Sequence, residues 1–225
     1  MKGIFSKNLN KIKKLSNISN QKRNYRYLTK EIIQKMPKAD LHFHLDGSMR
    51  VGSILEMAEQ QKIKLPSHDH DELKNLLVVR DDCPDLIQFL KAFDITLSVL
   101  QTPEALQRTM FEVCEDSFND GVKYLEVRFS PILHVQKGMQ IDDVLEAVCD
   151  IIPKIESTLP ITVRIIVCAM RHMSSEVSKE LALASVRFKD RGVVAFDLAG
   201  PEKGFPPQGK NKFFSFCKFT KSFGF

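Results

Sequence analysis

Hydrophobic and polar positions along this chain change rhythm several times, and the changes mark out elements. Short segments with strand-like patterning lie at 39–45, 122–129, 161–167 and 193–198. Between them, stretches near 51–62, 84–100, 103–120, 140–156 and 175–190 carry the spacing of helices with one apolar face. One helix start is well marked: Thr102 can cap, Pro103 suits the first helical position, and Glu104 favours its positive end. Gly121 and Gly192 each close a helical stretch and open the next strand. Strand and helix alternating at this spacing predict a parallel sheet with crossover helices, an α/β fold.

The strands themselves choose between two such folds. Parallel strands buried on both faces should be almost wholly apolar. Here Tyr124-Leu125-Glu126-Val127-Arg128-Phe129-Ser130 alternates polar and apolar, while Arg164 and Asp197 interrupt the third and fourth strands. Side chains alternate sides along a strand, so each strand has one greasy and one polar face. That suits a (β/α)8 TIM-barrel type, with helices outside and a polar lining inside. Such a barrel needs about 250 residues, and four strands amount to half of one. The expectation is therefore a barrel truncated after about four βα units. Its unpaired edges would favour self-association.

Charge divides the chain into three. Residues 1–30 hold nine Lys and Arg and no acid, and 203–225 hold five Lys and no acid. The remainder has 19 basic against 28 acidic residues, so the net +5 belongs to the ends. An acidic body argues against a nucleic-acid partner, and no apolar run approaches a membrane span. The start, 1–30, reads as a basic tail, with a mitochondrial transit peptide as the alternative to a cytoplasmic protein. The domain proper is expected at 31–207. From 208 to 225 the chain turns Phe- and Lys-rich, with six phenylalanines in its last 13 residues, as a mis-translated end would. Five scattered cysteines without a Cys-x-x-Cys pair fit neither a disulfide framework nor a thiolate zinc site.

The candidate chemistry sits on the first strand. Strict alternation would put Asp40, His42, His44 and Asp46 on one face and Leu41, Phe43 and Leu45 on the other. Four polar groups on an inward face are costly unless something pairs them, and a divalent metal would do so. Gly47 would allow a sharp exit turn. His68 and His70 have the same spacing but follow Pro66 among polar residues, and read as a solvated loop. His134 also reads as a loop residue. Glu126, Arg128, Arg164 and Asp197 read as one internal ion-pair network.

Four motifs now carry a resemblance. The segment Met36-Pro37-Lys38-Ala39-Asp40-Leu41-His42-Phe43-His44-Leu45-Asp46-Gly47-Ser48 resembles the opening signature of the adenosine deaminase family. The run from Tyr124 to Pro131 resembles its second strand. Met170-Arg171-His172 and the run from Val194 to Glu202 resemble its third and fourth. The resemblance implies zinc bound by His42 and His44. It implies that Asp46 hydrogen-bonds a ribose hydroxyl, that the Gly200 backbone meets a purine ring nitrogen, and that Phe89 and Phe93 form an apolar wall over the nucleoside, with His44 at the same site. His172 would stand behind these. An acidic Asp46 suits a sugar hydroxyl and repels a phosphate, so a nucleoside is favoured over a nucleotide.

The implied activity is hydrolytic deamination of adenosine or deoxyadenosine to inosine and ammonia, in purine salvage or catabolism. The family's proton-transferring glutamate and its remaining metal ligands lie in a His-Ala-Gly-Glu segment and a Ser-rich segment ending in paired aspartates. Neither segment occurs in these 225 residues, so no catalytic residue is expected in this chain, which as given should be inactive. Two alternatives stand beside this reading: a non-catalytic fragment that binds nucleoside or completes a barrel with another chain, and a different His-x-His metal-dependent barrel hydrolase.

Overall fold

A computed structural model describes residues 29–78 and 86–205, with residues 86–91 described by backbone only. The Phe- and Lys-rich end, nearly all of the basic start and the side chain of Phe89 lie outside the described residues. The chain divides into two compact units, residues 1–36 and 37–225. In the first, the short helix α1 (Lys30–Lys35) is capped by Thr29, whose hydroxyl accepts from the Ile32 N–H at 3.3 Å, and it buries no side chain.

The second unit is built on four strands: β1 (Lys38–His44), β2 (Val122–Phe129), β3 (Thr162–Met170) and β4 (Val193–Ala199). They form one parallel sheet in the order β1-β2-β3-β4, each strand beside its sequence neighbour. Neighbouring parallel strands require crossovers. These are helices α2 (Val51–Gln61), α3 (His70–Leu77), α4 (Leu86–Val99) and α5 (Pro103–Asn119) after β1, α6 (Ile141–Asp150) and α7 (Ile152–Thr158) after β2, and α8 (Ser175–Arg187) after β3. The predicted 140–156 helix is thus two, parted at Ile151, with Pro153 in the first turn of the second. Thr102 caps α5 as expected, with its side chain accepting from the Ala105 N–H. Among the described residues, no helix is long and apolar enough to cross a membrane.

The core lies between the sheet and the helices. Leu125, Val127 and Phe129 of β2 and Val163, Ile165 and Val167 of β3 are buried there with Leu106, Met110 and Val113 of α5 and Leu145 and Val148 of α6. The opposite face carries Tyr124, Glu126 and Arg128, as the alternation predicts. Side chains lost from water on the greasy face each contribute roughly 1.5–3 kcal/mol, so the register that buries them is strongly favoured. That same register sends Arg128 to the polar face.

Two parts of the first strand depart from strict alternation. The β1–β2 register shifts between Asp40 and Phe43, leaving Asp40 opposite Leu125 but His44 opposite Arg128. Paired residues of parallel strands share a face, so an irregularity of this kind moves Asp40 away from the histidines. Its Oδ1 accepts instead from the backbone N–H of His42 at 3.0 Å. Leu41, expected on the buried face, is 57% exposed.

Candidate active site

The C-terminal ends of the four strands bring together the segments that the sequence singles out. His44 closes β1, Asp46 and Gly47 turn the chain out, Arg171 and His172 follow β3, and Gly200 follows β4. The Arg171 N–H donates to the Ala199 carbonyl at 2.8 Å, and the His172 ring meets the edge of Phe205, centroids 6.2 Å apart. The turns after β3 and β4 are therefore held to each other. Gly200 has φ +97°, a left-handed conformation that other residues adopt only with strain.

His42 and His44 have ring centroids 5.2 Å apart with planes tilted by 49°. Two imidazoles sharing a tetrahedral ion at about 2.0–2.1 Å would hold their ring centres about 5 Å apart, so the spacing fits a common divalent ion. Burial pushes the His44 imidazole below the usual histidine range, with Arg128 and His42 adding to the effect. That favours the neutral ring, the form in which imidazole binds metal. The donor set is nonetheless incomplete. Among the described residues, no group of three or more His, Cys, Asp and Glu side chains is placed to hold one ion.

Arg128 stands beside this pair. It is only 7% exposed, its Nη1 lies 2.9 Å from Nδ1 of His42, and it forms an ion pair with Asp197. Its Nη2 also reaches the Cys168 thiol at 3.7 Å. The expected four-member network is not what forms. Glu126 accepts from the Tyr124 hydroxyl at 2.8 Å, and Arg164 pairs with Glu156 at 2.9 Å, lower in the sheet. One residue pair along a strand is about 6.6 Å, which is enough to separate the two groups.

Asp46 is 4% exposed, and its Oδ1 is buried without a hydrogen-bond partner. Burial pushes its carboxyl up to about 6, and bonds from its own N–H and that of Gly47 offset this only in part. It opens on a cavity of about 230 Å³ shared with Met49, Leu77, Phe93 and Thr96. This is smaller than the roughly 300 Å³ at which ordinary ligand pockets begin, and suits part of a ligand. Phe93 meets His44 edge-on, centroids 6.1 Å apart. Gly47 serves by being small: a Cβ there would lie 3.0 Å from Cζ of Phe93, and its φ is not in the left-handed region.

The structure departs from the sequence pattern at His70. His70 is not in a loop but opens α3, where Asp69 accepts from the Asp71 and Glu72 N–H groups. The signal was present, since Asp69 followed three residues later by Glu72 is a capping pattern. That helix places Leu77 in the cavity. His134 is fully buried in a 3-10 turn (Pro131–His134) and donates through Nδ1 to the Leu100 carbonyl at 2.9 Å. Ser130, also buried, donates to the Cys168 carbonyl at 2.7 Å and ties β2 to β3.

The class defined by fold and site is a parallel α/β protein of the barrel type with a histidine pair at its strand ends. The family model described as adenosine deaminase matches residues 37–222, and the chain belongs to that family. A Dictyostelium discoideum protein named "Probable adenosine deaminase" is 46% identical over 195 residues, covering 87% of this chain and 25% of that protein. The adenosine deaminase of Clostridium botulinum (strain 657 / Type Ba4) is 41% identical over 192 residues, covering 85% and 57%. Among solved structures, the Arabidopsis N6-mAMP deaminase aligns with a TM-score of 0.69 at 26% identity, covering 85% of this chain and 57% of that one. An amidohydrolase from Burkholderia ambifaria with bound Zn aligns with a TM-score of 0.71 over 88% and 54%, a likeness of fold alone at 18% identity. The chain thus spans a quarter of the first relative and a little over half of the others.

Proposed function

We propose that this chain carries the nucleoside-recognising and first metal-binding part of a zinc-dependent deaminase acting on adenosine or deoxyadenosine in purine salvage or catabolism. The observation that carries this is the His42–His44 pair joined through Phe93, which meets His44 edge-on, to a cavity lined by Asp46, whose Oδ1 is buried without a hydrogen-bond partner. Family membership supports the chemistry. His42 and His44 would hold the ion, which when bound lowers the pKa of water to about 7.

The chain's own residues do the rest of what is proposed here. Asp46 accepts from a sugar hydroxyl. At neutral pH its carboxyl, with a pKa of about 6, is mostly ionised, and a charged acceptor makes the stronger bond. The same charge repels a phosphate, which favours a nucleoside over a nucleotide. Phe93 walls the cavity, and the Gly200 backbone meets a ring nitrogen of the purine. No residue here is assigned the proton transfer that deamination requires, so these 225 residues are proposed to bind without turnover.

Calorimetric titration of the chain with adenosine and with AMP, alongside an inosine assay, tests this. Adenosine should bind, AMP more weakly by tenfold or more, and no inosine should form. Equal binding of AMP, or none of adenosine, sinks the recognition proposal, and inosine formation lost on His42→Ala sinks the proposed inactivity.

A further inference from the structure

The guanidinium of Arg128 and a metal ion require the same electron pair. A guanidinium has donors only and stays protonated in proteins. The nitrogen it faces must therefore accept, and that nitrogen is Nδ1 of His42 at 2.9 Å. A neutral imidazole has one nitrogen with a free lone pair. With that lone pair on Nδ1 and engaged, the proton sits on Nε2, and neither nitrogen is open to a metal.

Arg128 is also anchored in place. Its backbone stands opposite His44 in the β1–β2 register, its side chain is buried, and its Nε has no hydrogen-bond partner. It has a second place to go: Asp197 on β4, about half exposed, already pairs with its other branch. Resting on the reading of His42 and His44 as metal ligands, we propose that Arg128 is an internal cation that competes with a divalent metal for His42. Metal binding then requires the guanidinium to give up Nδ1 and settle on Asp197. The displacement costs every ion the same, so it sets a threshold of affinity that an ion must exceed. Ions with strong affinity for imidazole, such as zinc and cobalt, displace the arginine, whereas magnesium and manganese do not.

Two measurements on the 225-residue chain decide the matter. In chain stripped with a chelator, long-range 15N–1H correlation of the histidine rings, assigned with His42→Ala, should show His42 protonated at Nε2 with Nδ1 as acceptor. One equivalent of Zn2+ should change that pattern, and Mg2+ should not. Cobalt titration followed by its visible absorption should show Arg128→Met binding at least tenfold more tightly than the parent. His42 protonated at Nδ1 in the stripped parent overturns the proposal. Unchanged or weaker cobalt binding by Arg128→Met overturns it too, while leaving the metal site standing. Failure of both proteins to bind cobalt overturns the competition and the metal reading together. If Arg128→Met does not fold, the tautomer in the parent chain is decisive alone.

Discussion

A methyl group on Gly47 would come within 3.0 Å of Cζ and 3.2 Å of Cε1 of Phe93, so the size of residue 47 sets where the phenyl ring stands. The ring also meets His44 edge-on and walls the cavity beside Asp46. In Gly47→Ala the ring must move, since the closest atoms are the far end of its side chain, and Cβ of His44 at 3.3 Å must give by a few tenths of an ångström. The expected cost is about 1 kcal/mol of stability, together with weaker nucleoside binding. Phe93→Leu should remove most of the added penalty when combined with Gly47→Ala. A double-mutant cycle by urea melting checks this, and simple additivity of the two effects would show that the contact does not matter.

The buried carboxyl of Asp46 makes a prediction with a definite sign. Its folded pKa, about 6, is raised above its ordinary value of 3.8. Between those values the folded chain binds more protons than the unfolded one, so stability falls as pH rises through this window. A shift of this size corresponds to something on the order of 3 kcal/mol. Asp46→Asn should therefore stabilise the chain by about 1–3 kcal/mol at pH 7.5 and by almost nothing at pH 4. Its adenosine affinity should drop roughly tenfold, as a charge-assisted hydrogen bond is replaced by a neutral one. Denaturant melts at the two pH values, paired with calorimetry, test both halves.

His134 acts in the opposite direction. Burial pushes its imidazole down to about 4, although its bond to the Leu100 carbonyl works the other way. Stability from keeping it neutral is present above the ordinary value of 6.5 and is lost as pH falls toward 4. The size is again on the order of 3 kcal/mol. Between pH 6 and 4 the two residues nearly cancel in the parent chain. His134→Asn, which keeps an N–H for Leu100, should lose that acid sensitivity and become more stable relative to the parent at pH 4.5 than at pH 7.5. Urea melts across this range would show it, and parallel profiles would rule it out.

Much of this architecture was legible because one-sided burial writes itself into sequence. Leu125, Val127 and Phe129 alternate with Glu126 and Arg128, and such a pattern admits one register and one facing. The histidine pair was legible from its i, i+2 spacing alone, since β1 buries none of its residues and its register shifts after Asp40. What escaped was whatever periodicity does not encode. The register shift after Asp40 has no signature in composition, so strict alternation puts Asp40 on the wrong face. The separation of Arg164 from Arg128 depends on height along the sheet, which polar identity does not reveal. His134 lies in the connection after β2, as its place in the sequence suggests, but its burial is not written there. Its burial depends on an acceptor, the Leu100 carbonyl, that belongs to a distant part of the chain.

Gly200 separates backbone strain from crowding. A Cβ there would meet only ordinary contacts, 3.5 Å from Cε of Met170 and 3.7 Å from the Arg171 nitrogen, so space is not the constraint. The constraint is φ, at +97°. Alanine at this position must either accept about 1–2 kcal/mol of strain or swing back to negative φ. The second course pulls at the Ala199 carbonyl, which accepts from Arg171 at 2.8 Å and joins the turns after β3 and β4. Gly200→Ala should therefore destabilise the chain by about 1–2 kcal/mol and weaken adenosine binding by more than tenfold. His172→Ala, which removes the ring packed on Phe205 but leaves φ free, should weaken binding less. Equal binding losses in the two variants would mean that the conformation of Gly200 is not what the nucleoside reads.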